Sequence, residues 1–254
     1  MKPASLTALL LLATACGSAA QPEPTSLGAL SGRSVRLVLN DTDVADRATA
    51  VLGDHRVTVV LQDLPDGTCT RLAEGVSATL GGEPMRLERG GVASTPGRTV
   101  CVQPAATFDF DPAVWAAEPA ADLEVLLQEA GQPTVRLRVL GGKAKRRFTI
   151  VPPTPAGTVR PGQTRLYTYA PGTDAGGEVA ASLSQVGSSV GGPLTASLDP
   201  DGRVRVGVPT TVPAGTQELH LSRTAPATFL ACEGLAACEG ALFHAETVPV
   251  DIVP

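Results

Sequence analysis

Aromatic side chains are scarce in this chain, with Phe, Trp and Tyr together making up 3% of its 254 residues. The scarcity counts against a sugar-binding platform, which stacks rings on exposed aromatics, and leaves Trp115, Tyr167 and Tyr169 to serve. Histidine occurs three times, at His55, His220 and His244, and no two of these have the i, i+4 spacing of a helical metal site. Concentrated basic charge is also missing. The formal net charge is -5, and the one basic run, Lys143, Lys145, Arg146 and Arg147, is short and reads as a solvated strand edge. Nucleic acid, whose phosphates demand clustered Lys and Arg, is thereby excluded as the main partner. No apolar run approaches the roughly 20 residues of a membrane-spanning helix.

What the chain does have is small aliphatic residues and turn formers. Hydrophobic residues make up 43%, mostly Ala, Val and Leu, and they are punctuated by 27 Gly and 22 Pro. Such cores suit β-sandwiches. The first sixteen residues are a separate signal: Lys2 gives a positive start, Leu6 to Leu12 an apolar run, and Ala13-Thr14-Ala15 the small residues before Cys16. This stretch resembles a bacterial lipoprotein signal with its lipobox. The resemblance implies removal of 1–15, lipidation of Cys16 and anchorage in the cell envelope. Gly17, where an Asp would retain the protein at the inner membrane, implies the outer membrane.

With Cys16 assigned to lipid, four cysteines remain, an even number in an exported chain. Of the three connectivities, pairing within each expected domain gives Cys69 with Cys101 and Cys232 with Cys238. By loop-closure entropy these contribute ~3.7 and ~2.4 kcal/mol. The alternatives are buried free thiols, or zinc at Cys232, Cys238 and His244, whose spacing is loose and lacks a fourth ligand.

Residues 16–31 lack periodicity and read as a flexible tether. In the first domain, expected over 32–151, Val35, Leu37 and Leu39 alternate as a strand before an acidic turn at Asn40 to Asp43, and Val57 to Leu61 is a buried strand. Leu123 to Leu127 and Val135 to Val139 flank the turn Glu129 to Pro133 as a hairpin. Three prolines in four residues mark a stiff linker, 152–157. Over 158–254 about seven short strands between Pro and Gly turns resemble bacterial Ig-like modules. The fold class is therefore all-β, two tandem Ig-like β-sandwiches.

Candidate chemistry is thin. Gly187-Ser188-Ser189-Val190-Gly191 matches the G-x-S-x-G nucleophile elbow in letters, but Gly192-Pro193 follows where a helix is required. Asp41, Asp43 and Asp46 form the better of two acidic clusters for calcium, the alternative being a solvated turn. Trp115 is either a plug on the first core or a binding residue. The reading that follows is a non-enzymatic, membrane-anchored binding, adhesive or structural module with an envelope protein as partner and no resident cofactor. A calcium-dependent or hydrolytic enzyme with a site assembled from distant residues, and a hydrophobic-ligand carrier, are the alternatives.

Overall fold

The computed structural model describes residues 21–44, 51–62, 67–95, 98–118, 121–152, 157–186 and 192–254. Cys16, Asp46 and the Gly187 to Gly191 motif lie outside them. Among the described residues no helix is long and apolar enough to cross a membrane. The protein is all-β, with two hydrophobic cores in tandem.

The first core lies between two sheets. One sheet runs, in spatial order, through the first part of Ala237–Ile252, then Ser34–Val44, His55–Leu61, Ala105–Asp109 and Arg86–Glu88. The other runs Phe229–Glu233, Val135–Val139, Leu123–Gln128, Ser77–Leu80 and Glu83–Pro84. The two-residue periodicity of a strand turns Val35, Leu37 and Leu39 inward from the first sheet and Leu123, Val125 and Leu127 from the second.

The second core has an immunoglobulin-type strand order. Arg147–Ile150, Thr164–Ala170, Arg203–Gly207 and Gly192–Leu198 are neighbours in turn, matching strands A, B, E and D. Glu178–Gln185, Gly215–Pro226 and the end of Ala237–Ile252 match C, F and G. Gly192–Leu198 pairs with both layers, so the sheet curls round Tyr167, Val204, Val206, Leu219 and Leu221. Gly177, at φ +89, opens Glu178–Gln185 against Thr224, where any Cβ would meet backbone.

Three expectations about organisation change. The segment 16–31 is not all tether. Pro24–Thr25 pairs in parallel with Arg71–Leu72, and the following 3-10 turn, Leu27–Leu30, buries both leucines in the first core. Two leucines three apart on such a turn share a face, and burying that face outweighs the freedom lost.

The prolines after Val151 do not separate the domains either. Arg147–Ile150 pairs with Thr164–Ala170, whereas Thr158–Val159 pairs in parallel with the closing strand. Strands on both sides of the expected linker thus pair within the second sandwich, whose first strand precedes the prolines.

Finally, the range 158–254 is not one sandwich. Gly215–Pro226 and Ala237–Ile252 form a long hairpin, paired from Gly215 with Ile252 to Pro226 with Ala241. Its base belongs to the second core. Its distal part crosses into the first, where Phe229–Glu233 pairs with Val135–Val139 and residues 237–247 pair in parallel with Ser34–Val44. Both expected disulfides are present. Cys232–Cys238 lies at the tip of this hairpin and joins the two sheets of the first sandwich, since Cys232 is opposite Leu137 and Cys238 opposite Val35.

Candidate functional site

The polar chemistry concentrates where the two cores meet. Strand Ser34–Val44 does not turn at Asn40, as its acidic composition suggested, but continues to Val44 with Asp41 still facing inward. Register sets Asp41 opposite His55 on one side and His244 on the other. Both histidines donate from Nδ1 to Asp41, His55 to Oδ1 at 2.9 Å and His244 to Oδ2 at 3.0 Å. His244 Nε2 donates to Glu246 Oε2 at 3.3 Å, and the same oxygen accepts the Phe148 N–H at 3.1 Å. A continuous chain of polar contacts thus runs from the first sandwich to the first strand of the second.

This arrangement fixes charge. Burial disfavours a cation at His244, but hydrogen bonds and attraction from Asp41 and Glu246 outweigh it and push its pKa up to about 9. Burial would likewise raise Asp41, yet the two histidines hold its carboxyl below the usual carboxylate range. Asp43 moves the other way, raised first by burial and then by the like charge of Asp41. Asp41 and the imidazolium of His244 therefore form a buried ion pair, satisfied at every ring nitrogen of His244.

A second buried pair stands beside it. Arg146, expected on a solvated edge, is 2% exposed, and its Nε donates to Asp174 Oδ2 at 3.0 Å. Tyr169 donates to the same oxygen at 3.2 Å, and burial raises the Tyr169 hydroxyl well above its ordinary pKa. Arg223 lies over the Tyr169 ring, 4.4 Å from its centroid, and donates to the carbonyls of Asp174 and Gly176. Phe148 and Tyr169 pack against the His244 ring.

Above these groups opens a cleft of about 250 Å³, lined by Asp41, Asp43, Phe110, Trp115, Lys143 and Arg146 among others. The short helix Pro112–Ala117 forms one wall. Asp111 caps it by accepting the Ala113 N–H at 2.8 Å, and Pro112 suits its first turn. The cap fixes Trp115, which stacks on Phe110 at 3.9 Å between centroids, with Lys143 Nζ 5.5 Å from the Trp115 ring. Trp115 is both plug and cleft wall, at 9% exposed.

Of the calcium triplet, Asp41 and Asp43 share this cleft, but Asp41 has both oxygens engaged by histidine. His55, Glu246, Arg146 and Asp174 were not read from the sequence as site residues, and His244 was weighed only as a zinc ligand beside Cys232 and Cys238. The available signal was the inward series Val35, Leu37, Leu39, Asp41, because an acid continuing an apolar alternation must find buried partners. His220 is half-buried on the outer face of the second sandwich, where Ser184 and Thr247 bond its two nitrogens at 2.7 and 2.9 Å.

No family model matches this sequence, and no curated protein matches it. Among solved structures, the chain is similar to a tetra-tandem repeat from the extending region of a large adhesion protein, at 13% identity and a TM-score of 0.26. That likeness covers 87% of this chain, which spans half the length of the repeat structure. A chimeric titin Z1Z2-Z1Z2 tandem matches at 15% identity and TM-score 0.24, covering 86% of this chain and 97% of the other. Fibronectin(III)-like modules of Clostridium thermocellum CbhA match at 10% identity and TM-score 0.22, covering 83% and 92%. TM-scores this low fix neither the detailed topology nor the function of this chain.

Proposed function

We propose that this protein is a non-enzymatic binding or adhesive module, held in the cell envelope by a lipid on Cys16, that engages an envelope protein at the Trp115 cleft. The single observation that carries the reading is the make-up of that cleft. A capped helix presents the Phe110 and Trp115 stack at its wall, Val114 stands 54% exposed on the same helix, and Lys143 and Lys145 line the opening. An apolar anchor ringed by charge is the form in which protein interfaces concentrate their binding energy. The rigid polar junction beneath it keeps the wall in place without a partner, which reduces the entropy lost on docking.

A carrier of hydrophobic ligands is less well supported: the larger cleft of about 300 Å³ beside Phe148, Tyr167 and Val250 is also lined by Arg165 and Glu246, and the gap at Leu30, Val35, Leu61 and Leu127 in the first core amounts to about 10 Å³. That is at the lower limit for a single water. The test is cross-linking in cells with a photoreactive residue at position 114. One partner should be captured in stoichiometric yield, and the yield should fall at least tenfold with Lys145→Glu. Recovery of the protein alone under several growth conditions would overturn the proposal. Cys16→Ser should move the protein from the membrane to the soluble fraction, and unchanged fractionation would refute the anchor.

A further inference from the structure

We propose that His55 and Asp43 bind a divalent transition-metal cation of the zinc class, with Asp41 as the positioning carboxylate behind His55. This goes beyond the binding module and does not depend on what docks there. His55 is 7% exposed, and its Nδ1 hydrogen is committed to Asp41 at 2.9 Å. With Nδ1 as the donor, the neutral ring carries its lone pair on Nε2. Among the described residues Nε2 has no hydrogen-bond partner. Its closest charged group is Asp43 Oδ1 at 3.8 Å, another electron-pair donor outside hydrogen-bonding reach. Two electron-pair donors that face one another in this way are the pair of groups a cation between them would bind.

The rest of the surroundings agree with that assignment. A histidine that gives one N–H to a carboxylate and offers its other nitrogen outward is the arrangement by which proteins orient metal ligands. Asp41, Asp43 and His55 place one donor atom each within 4.8 Å of one another. Nitrogen and oxygen ligands of a tetrahedral zinc ion lie roughly 3.3 Å apart, so Asp43 has to close by about half an ångström. Its side chain is 51% exposed and free to do so.

Of the cations lining or beneath the cleft, three are already neutralised, while the exposed Lys145 stands at its opening. Lys143 bonds Glu118 at 2.8 Å, Arg146 bonds Asp174 at 3.0 Å, and His244 bonds Asp41 and Glu246. Asp41 and Asp43 both line the cleft, so the remaining coordination positions face water or a partner's side chain. Calcium, expected from the acids alone, requires six to eight oxygens, whereas an imidazole nitrogen suits zinc, copper or nickel.

The test is calorimetric titration of the intact chain with Zn²⁺ alone and, separately, with Ca²⁺. One Zn²⁺ should bind per chain, Asp43→Asn should weaken it at least tenfold, and His55→Gln should abolish it, while His220→Ala leaves it unchanged. Because His55 is buried, Asp43→Asn at the half-exposed position decides the matter if His55→Gln fails to fold. Absence of Zn²⁺ binding up to the order of 1 mM, about 4 kcal/mol of affinity, would overturn the proposal. So would Zn²⁺ binding indifferent to Asp43→Asn, or binding lost with His220→Ala. Asp43-dependent binding of Ca²⁺ without Zn²⁺ would overturn the metal class.

Discussion

The two sandwiches are built from similar strands but differ in how far apart in the sequence their neighbours lie. The second takes its strands from a nearly continuous stretch, Arg147 to Pro226, and closes with the last few residues before Ile252. The first sets Ser34–Val44 beside residues 237–247, so that Asp41 meets a histidine 203 positions away. Both sandwiches therefore wait for the closing hairpin, but the first pairs it with a strand some two hundred positions earlier, whereas the second pairs its final strand with Gly215–Pro226, the other arm of the same hairpin. Non-local pairing of this kind is slow to form, because loop closure comes before the contacts that reward it.

The largest expected effect breaks the comparison outright. Deleting 227–254 removes two strands, the Leu242 contact and one disulfide from the first sandwich and the closing strand from the second. Circular dichroism and hydrogen exchange should show loss of cooperative structure in both cores. If the first core keeps full protection in the deletion, the shared hairpin is not what holds it.

Next in size is Asp174→Ala, which leaves Arg146 buried without its carboxylate partner. Breaking such a pair costs about 3–5 kcal/mol, measurable by urea unfolding. Leu242→Ala, at a core position 2% exposed, should cost about 2–5 kcal/mol, and the loss should fall on the first sandwich. Equal loss of protection in both cores would show that the hairpin couples them fully.

Alkaline pH probes the junction itself. His244 has its pKa raised above its ordinary 6.5, to about 9. Its contribution is therefore fully present below about pH 6.5 and fades as pH rises through 9, with a change on the order of 3 kcal/mol. His244→Gln should flatten that part of the stability profile. An unchanged profile would mean that His244 is neutral in the native state. The smallest effect is expected at Arg56, whose bond to Asp109 lies at the surface, where Arg56→Ala should cost less than about 1 kcal/mol.

Much of the fold was legible because strand periodicity is a local property. Alternation placed Val35, Leu37, Leu39, Leu123, Val125 and Leu127 in a core, and Gly and Pro marked turns. The disulfide pairs were expected from one pair within each domain, and both form, although Cys232–Cys238 lies in the first sandwich rather than the second. What misled was composition read without partners. Asn40 to Asp43 looked like a turn because acids usually end strands, and Arg146 looked solvated because basic runs usually are. Both are buried because a counter-charge stands opposite, at His244 for Asp41 and at Asp174 for Arg146. The expected boundary at 152–157 misled in the same way, since strands on both sides of it pair within the second sandwich.

The sequence by itself determined an all-β chain of small aliphatic cores, its cysteine pairs and the absence of any large basic face. These follow from side-chain type, spacing of two, and turn chemistry, none of which needs a distant partner. Only the tertiary structure decided which strands are neighbours, that one hairpin serves both sandwiches, and that His55, Asp41, His244 and Glu246 form one buried chain of contacts. The reason is physical: cross-strand register brings together residues some two hundred positions apart, and the charge state of each depends on the group that register sets beside it.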